Sequence, residues 1–191
     1  RPSASPTAAN EATLATSAAL HLGEDPQLLG PDDEAAALAL PGPVAVGVGS
    51  PRVRRQIWDR WSGEPHLSWP TLVHATSVLG ARTTIGAGVG VQAGVTMTCD
   101  IRIAEFSYLS PLVTVGHDVR IGRWCLVNPS ANLSGGVTVG DGVLVGVGAV
   151  ILENIAIGVG ATVGAGAVVT RDVPPGVTVV GVPARAVGAD R

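Results

Sequence analysis

His117 and Asp118 stand next to each other in the sequence and are its best candidates for chemistry. A carboxylate beside an imidazole fixes the tautomer of the ring and stabilises its protonated form, so the pair can take a proton from an attacking group. A lone exposed histidine is ordinarily inert; the adjacent aspartate distinguishes this one. Neighbouring side chains on a strand point apart, but at a turn both can face one cleft. Gly135 lies eighteen residues after His117, and Cys99 eighteen residues before it. If a coil of that length stacks them, Gly135 leaves the space above the imidazole open, and its backbone N–H can donate to a developing oxyanion. The pair Gly135-Gly136 also suits a plain turn, and the two uses are compatible. Cys99 offers a competing covalent route, although a small outward cysteine is commonly without function.

The elements that must position these residues follow from a repeat. Every sixth residue from Val73 to Val169 is aliphatic or Met, through Leu79, Ile85, Val91, Met97, Ile103, Leu109, Val115, Ile121, Val127, Leu133, Val139, Val145, Ile151, Ile157 and Val163. Such residues make up about a third of the stretch, so an unbroken row is not an accident of composition. A second inward row of smaller residues follows four positions later, from Ser77 and Thr83 to Ala167 and Val173. This is neither a helix period nor simple strand alternation, and it marks a stacked β-solenoid. Each hexad supplies one short strand and one tight turn, and three hexads close a triangular coil. Glycines such as Gly116 and Gly122 follow the aliphatic residue and relax the turns. Five to six coils are expected, with strands about 4.8 Å apart. His117 falls two positions after the inward Val115, at a turn.

Composition narrows the function classes. The chain has 191 residues, a net charge of −3, and 12 basic residues, all Arg. They are dispersed along the sequence, so no basic stripe argues for nucleic acid. Apolar residues are interrupted every few positions, and no stretch resembles a membrane span of about 20 residues. The start, RPSASPTAAN, lacks an initiator Met and the basic-then-apolar order of a signal peptide. A processed or shortened chain and a cytoplasmic location are therefore the expectation. Cys125 sits in the inward row, where a thiol packs as a small apolar group. A metal site of the three-histidine kind is not expected, because the solenoid holds only His74 and His117, more than two coils apart.

Residues 1–22 read as a flexible arm rich in Ala, Ser, Thr and Pro, and 23–70 as a partial α/β unit. Within that unit VAVGVG (44–49) reads as a buried strand. Ser50 caps a helix that has Pro51 at its first position and Val53, Ile57, Trp58 and Trp61 on its apolar face. The solenoid spans 73–174, and 175–191 is a closing loop and tail.

The runs VAVGVGSPRVRRQI, TLVHATSVLG, VTVGHDVRIG, NPSANLSGGVTVGDGVLVGVGAVIL and VTRDVPPGVTVVGVPARAV together resemble one family. It is the sialic-acid O-acetyltransferase and UDP-amino-sugar N-acetyltransferase family of hexapeptide-repeat proteins, and the likeness covers about residues 23–187. The resemblance implies a mainly β, left-handed parallel β-helix behind a small, incomplete N-terminal α/β unit. It also implies acetyl-CoA as acyl donor, with no metal, and an amino or hydroxyl group of a sugar or nucleotide sugar as acceptor. By the same resemblance, His117 is the general base and Asp118 its acidic partner. The CoA groove would pass Gly135, Val147 and Ala165, with Arg185 near its nucleotide end as a phosphate contact. Family members transfer acetyl directly, which disfavours a Cys99 intermediate. Two departures stand out. Leu126 occupies a position where the family commonly has a second His contacting acetyl-CoA. The first strand, Gly-rich turn and helix that hold the nucleotide have no counterpart here, so poor binding of UDP-sugars is expected. The superfamily packs as homotrimers through flat walls. Trp124 and Phe106, read as outward apolar groups, fit such a contact, and Trp124 also fits substrate stacking. A catalytically idle trimeric scaffold is the alternative.

Overall fold

In the computed structural model, which describes residues 15–16 and 42–187, the hexads form a prism with three walls. The first wall carries Leu72–Val73, Gly90–Val91, Tyr108–Leu109, Leu126–Val127, Leu144–Val145, Thr162–Val163 and Thr178–Val180. The second carries Val78–Leu79, Thr96–Met97, Thr114–Val115, Asn132–Leu133, Val150–Ile151 and Val168–Val169. The third carries Thr84–Ile85, Arg102–Ile103, Arg120–Ile121, Thr138–Val139 and Ala156–Ile157. All these neighbours pair in parallel, and the fold is a left-handed parallel β-helix of about 6 turns. Each pairing joins residues eighteen apart, as Val115 pairs with Met97 below and Leu133 above. Coil-to-coil hydrogen bonds hold that register, such as Gly116 N–H to Leu133 O at 2.7 Å. Both inward rows fill the interior: Val115, Leu133 and Ile151 alternate with Val113, Ala131 and Ala149, all buried. Each large aliphatic buried this way stabilises by roughly 1.5–3 kcal/mol. At the open first coil Leu79 and Ile85 are only partly covered.

The last coil is shorter than the sequence period suggests. Val173 does not extend the row of small residues; it bridges Ile157, sixteen residues earlier, and so takes the aliphatic position. Thr178 likewise pairs with Thr162. Asp172 Oδ1 accepts the Ala156 N–H at 2.8 Å, supplying an acceptor where the shortened turn brings no carbonyl. The first wall also continues past residue 174. Thr178–Val180 adds a strand, and Arg185–Ala186 folds back on it in antiparallel register.

A buried arginine and a cluster of aromatic rings tie the segment before the solenoid to it. Helix α1, Pro51–Trp61, starts where expected, with Ser50 Oγ accepting from Val53 N–H at 3.5 Å and proline at its first position. Gly42–Pro43 and Leu67–Ser68 pair in parallel on either side of it. VAVGVG, however, forms no strand. The carbonyls of Val48 and Gly49 instead accept from Arg54 Nη1, both at 2.8 Å, which bends this segment into the helix. Arg54 is 1% exposed. Its Nε donates to Phe106 O at 3.2 Å, and its Nη2 to Trp124 O at 3.3 Å and Cys125 O at 2.8 Å. The guanidinium also lies over the Tyr108 ring, 5.1 Å from its centroid. Burial lowers its pKa from the ordinary arginine value. The arm expected at 1–22, apart from Ala15–Thr16, and residues 23–41 of the expected α/β unit lie outside the described residues.

This contact corrects the expectation for Trp124 and Phe106. They are 9% and 5% exposed and stack on each other at 4.5 Å with planes 7° apart. Trp58 of α1 lies 4.4 Å from Phe106, and Trp69 packs edge-on at 5.7 Å. Both stacked residues occupy left-handed backbone, φ 58 and 61, a strained conformation for aromatic side chains. The aromatic cluster beneath α1 compensates for it. These rings are therefore covered within the chain itself, not left exposed as the repeat alone suggested.

Arg54→Met would leave five carbonyls without their donor while conserving most of the side-chain volume. A loss of about 3 kcal/mol is expected. In urea titrations tryptophan fluorescence, which reports the cluster under α1, should shift before the far-ultraviolet signal of the solenoid. Coincident transitions at the wild-type midpoint would show that Arg54 does not hold the helix.

Candidate active site

The repeat places His117 and Asp118 on the edge between the second and third walls, in the turn after Thr114–Val115. Asp118 adopts left-handed backbone, φ 59, which aspartate tolerates better than most residues. That twist lets adjacent side chains face the same way, and His117 Nδ1 lies 2.8 Å from Asp118 Oδ2. Both side chains are largely exposed, at 64% and 66%. With Nδ1 held by the carboxylate, Nε2 is left to act.

Gly135 stacks on His117 as the spacing requires, but the space there is not empty. A Cβ built on Gly135 would lie 2.5 Å from His117 Nε2 and 2.7 Å from Cε1. The imidazole lies directly on the glycine, and the missing side chain is what admits the ring. Gly136 N–H donates to His117 O at 2.8 Å, whereas the Gly135 amide donates to no group among the described residues. Gly116, one residue before His117, is equally constrained, since a Cβ there would meet Gly135 N at 2.6 Å.

Below His117 the edge carries a second charged pair. Arg82 Nε and Nη2 each lie 2.6 Å from an Asp100 oxygen, a bidentate arrangement that pulls Asp100 down to about 2. The hydrogen bond from Cys99 to Asp100 pushes the Cys99 thiol up, with burial adding to the effect. Cys99 lies in the adjacent coil, its carbonyl accepting from Asp118 N–H at 3.1 Å, but a thiol kept protonated is a poor nucleophile. Cys125 is buried as expected and is pushed up to about 11, mainly by desolvation. Among the described residues no three His, Cys, Asp or Glu converge as a metal site, and no helix is long and apolar enough to cross a membrane.

No family model matches the sequence, and no curated protein matches it. Solved structures do. Perosamine N-acetyltransferase from Caulobacter crescentus matches with a TM-score of 0.72 and 34% identity, over 77% of this chain and 70% of that one. This chain belongs to the hexapeptide-repeat sugar acyltransferases. The acetyltransferase domain of PglB from Neisseria gonorrhoeae matches this acyltransferase at 31% identity and TM-score 0.72, over 75% of this chain and 69% of that one. WeeI from Acinetobacter baumannii matches at 30% and 0.76, over 80% and 76%. The perosamine enzyme has been solved with CoA and GDP-perosamine, also with one histidine replaced by alanine, and the PglB domain with acetyl coenzyme A.

The other expected site residues of the acyltransferase stand elsewhere on the prism. Val147 and Ala165 occupy consecutive coils on the edge between the first and second walls, where Gly166 N–H donates to Val147 O at 2.8 Å. Arg185 follows at the end of that line, on the closing hairpin, paired with Val180. Its Nη1 donates to the carbonyl of Ala184 at 2.8 Å. The second wall separates this line from His117. Leu126 lies on the first wall, half-buried near Gly49, and within one chain it does not adjoin His117. The sequence reading missed Arg54, because an arginine in an amphipathic helix ordinarily marks the solvated face.

Gly135→Ala should lift the imidazole from its seat. Imidazole nitrogen resonances of His117 should move, while thermal stability changes little because the ring side faces solvent. A spectrum identical to wild type would show that the ring does not rest on Gly135. Cys99 should alkylate more slowly at pH 8 than an ordinary exposed thiol, since its raised pKa keeps the thiolate fraction low there.

Proposed function

We propose that this acyltransferase moves an acetyl group from acetyl-CoA to an amino or hydroxyl group of a sugar or nucleotide sugar, by direct attack with His117 as general base. The observation that carries this reading is the 2.8 Å contact of His117 Nδ1 with Asp118 Oδ2, which holds the ring by one nitrogen and turns Nε2 to the exposed edge. The acceptor N–H or O–H gives its proton to Nε2 as its lone pair attacks the thioester carbonyl. The Gly135 amide, uncommitted among the described residues, donates to the oxyanion of the tetrahedral intermediate. Collapse breaks the C–S bond, and the imidazolium returns its proton to the departing CoA thiolate. Support for donor and acceptor comes from the relatives, which hold CoA with GDP-perosamine or acetyl coenzyme A. The perosamine enzyme was also solved with CoA and GDP-perosamine after one histidine was replaced by alanine.

We further infer a homotrimer with the donor groove between copies. The expected groove residues Val147, Ala165 and Arg185 follow one edge and His117 stands on another, so edge-to-edge contact of two copies would complete the site. Leu112, on the same edge as Val147, is 62% exposed in left-handed backbone with φ 62, and a covering copy would offset both costs.

His117→Ala should lower turnover about 10²–10⁴-fold with near-normal acetyl-CoA affinity by calorimetry, and Asp118→Asn should lower it less. Wild-type turnover in His117→Ala would sink the mechanism. Failure of the wild type to bind acetyl-CoA would favour an idle scaffold. Light scattering should report three copies, and a monomer at micromolar concentration would overturn the trimer.

A further inference from the structure

Gly135 and Gly136 each receive a side chain from a neighbouring coil. From below comes the His117 imidazole, lying on Gly135. From above comes Asn154, whose backbone N–H donates to Gly135 O at 2.9 Å. A Cβ on Gly136 would meet Asn154 Oδ1 and lie 3.3 Å from its Cγ, so the carboxamide is folded down onto that glycine. Asn154 holds left-handed backbone, φ 60, which asparagine adopts more readily than most residues. The other two asparagines of the solenoid commit their carboxamides to the fold. Asn128 Nδ2 donates to Val145 O at 2.8 Å, and Asn132 Nδ2 to Thr114 Oγ1 at 2.6 Å. The Asn154 carboxamide is exposed and has no such partner among the described residues. Imidazole and carboxamide thus lie over adjacent glycines, whose Cα atoms are about 3.8 Å apart.

Resting on the acetyl-transfer reading above, we propose that Asn154 binds the acyl donor, its Oδ1 accepting the N–H of the pantetheine amide next to the thioester sulfur. The direction of the groove favours this. Val147, Ala165 and Arg185 follow their edge toward the C-terminal end of the prism, and copies related by one threefold axis run the same way. A donor arm shared by that edge and the His117 edge therefore climbs from Gly135 past Asn154. The scale agrees. With the thioester oxygen on the Gly135 amide, the amide nitrogen lies three bonds beyond the sulfur, a span of about 3.8 Å. One coil is about 4.8 Å. The first N–H of the arm thus reaches the coil of Asn154, and Oδ1 is the carboxamide atom lowered toward it. Glu153, also exposed and without an ion pair among the described residues, is the competing acceptor. It is not folded down in this way: the atoms nearest a Cβ on Gly135 all belong to His117.

Asn154→Gly removes the carboxamide and suits the left-handed backbone, so the turn is kept. By calorimetry its Kd for acetyl-CoA should rise about 3- to 10-fold. Adenosine 3′,5′-diphosphate, the nucleotide part of CoA, should bind as in the wild type. With a GDP- or UDP-linked amino sugar as acceptor, KM for acetyl-CoA should rise by a similar factor and kcat change less. Two small donors isolate the contact: the acetyl thioester of N-acetylcysteamine contains that amide, and S-ethyl thioacetate lacks it. The wild type should favour the first in kcat/KM, and Asn154→Gly should lose the preference. An unchanged Kd for acetyl-CoA overturns the proposal and leaves the acetyl-transfer reading standing. So does a raised acceptor KM alone, which assigns Asn154 to the acceptor, or loss of the preference in Glu153→Gln instead. If the wild type binds acetyl-CoA but acetylates no sugar, the transfer reading has failed and the two calorimetric titrations decide the role of Asn154. A wild type that binds no acetyl-CoA overturns both.

Discussion

Nearly every strand of the solenoid is two residues long, too short to hold a position by itself. Each is placed by parallel pairing with the coils above and below, and those pairings keep one register of eighteen residues from Leu72 to Val169. A narrow interior enforces that register. Bulky and small inward residues alternate around the prism, and a slip by one residue would turn every aliphatic outward. The functional edge inherits its precision from this constraint. His117 meets Gly135 because the backbone beneath them cannot shift, and Gly135 can bear no side chain because the imidazole occupies its place.

The same register decides what becomes a neighbour. Residues far apart in sequence but one coil apart are in contact, which is how Arg82 reaches Asp100 and Arg123 reaches Asp141. Twelve arginines that look scattered along the chain therefore include a directly stacked pair. At the C-terminal end the register breaks, with Val173 sixteen residues from its partner Ile157, and there the prism closes into a hairpin.

Arg54 ties the preceding segment to this rigid body. A buried cation is costly without compensation, and here five carbonyl contacts from Val48, Gly49, Phe106, Trp124 and Cys125 supply it. Three of those carbonyls belong to solenoid corners, and two to the chain leading into α1. One side chain thus joins two kinds of structure. The aromatic cluster of Trp58, Trp69, Phe106 and Trp124 forms around that junction.

Much of this was legible in the sequence, because a period of six acts locally and repeats. The solenoid, its inward rows, the coil length that brings Gly135 to His117, the Ser50 cap and the chemical pairing of His117 with Asp118 all follow from residue types at fixed spacing. What tertiary structure alone decided involves contacts between segments with no common period. VAVGVG has the composition of a buried strand, but Arg54 captures its carbonyls first. Trp124 and Phe106 occupy outward positions by the repeat, yet a helix far earlier in the chain covers them. The contact between imidazole and Gly135 depends on a rotamer that no pattern encodes. The repeat specifies which way a side chain leaves the wall; only packing between unrelated segments specifies what it meets there.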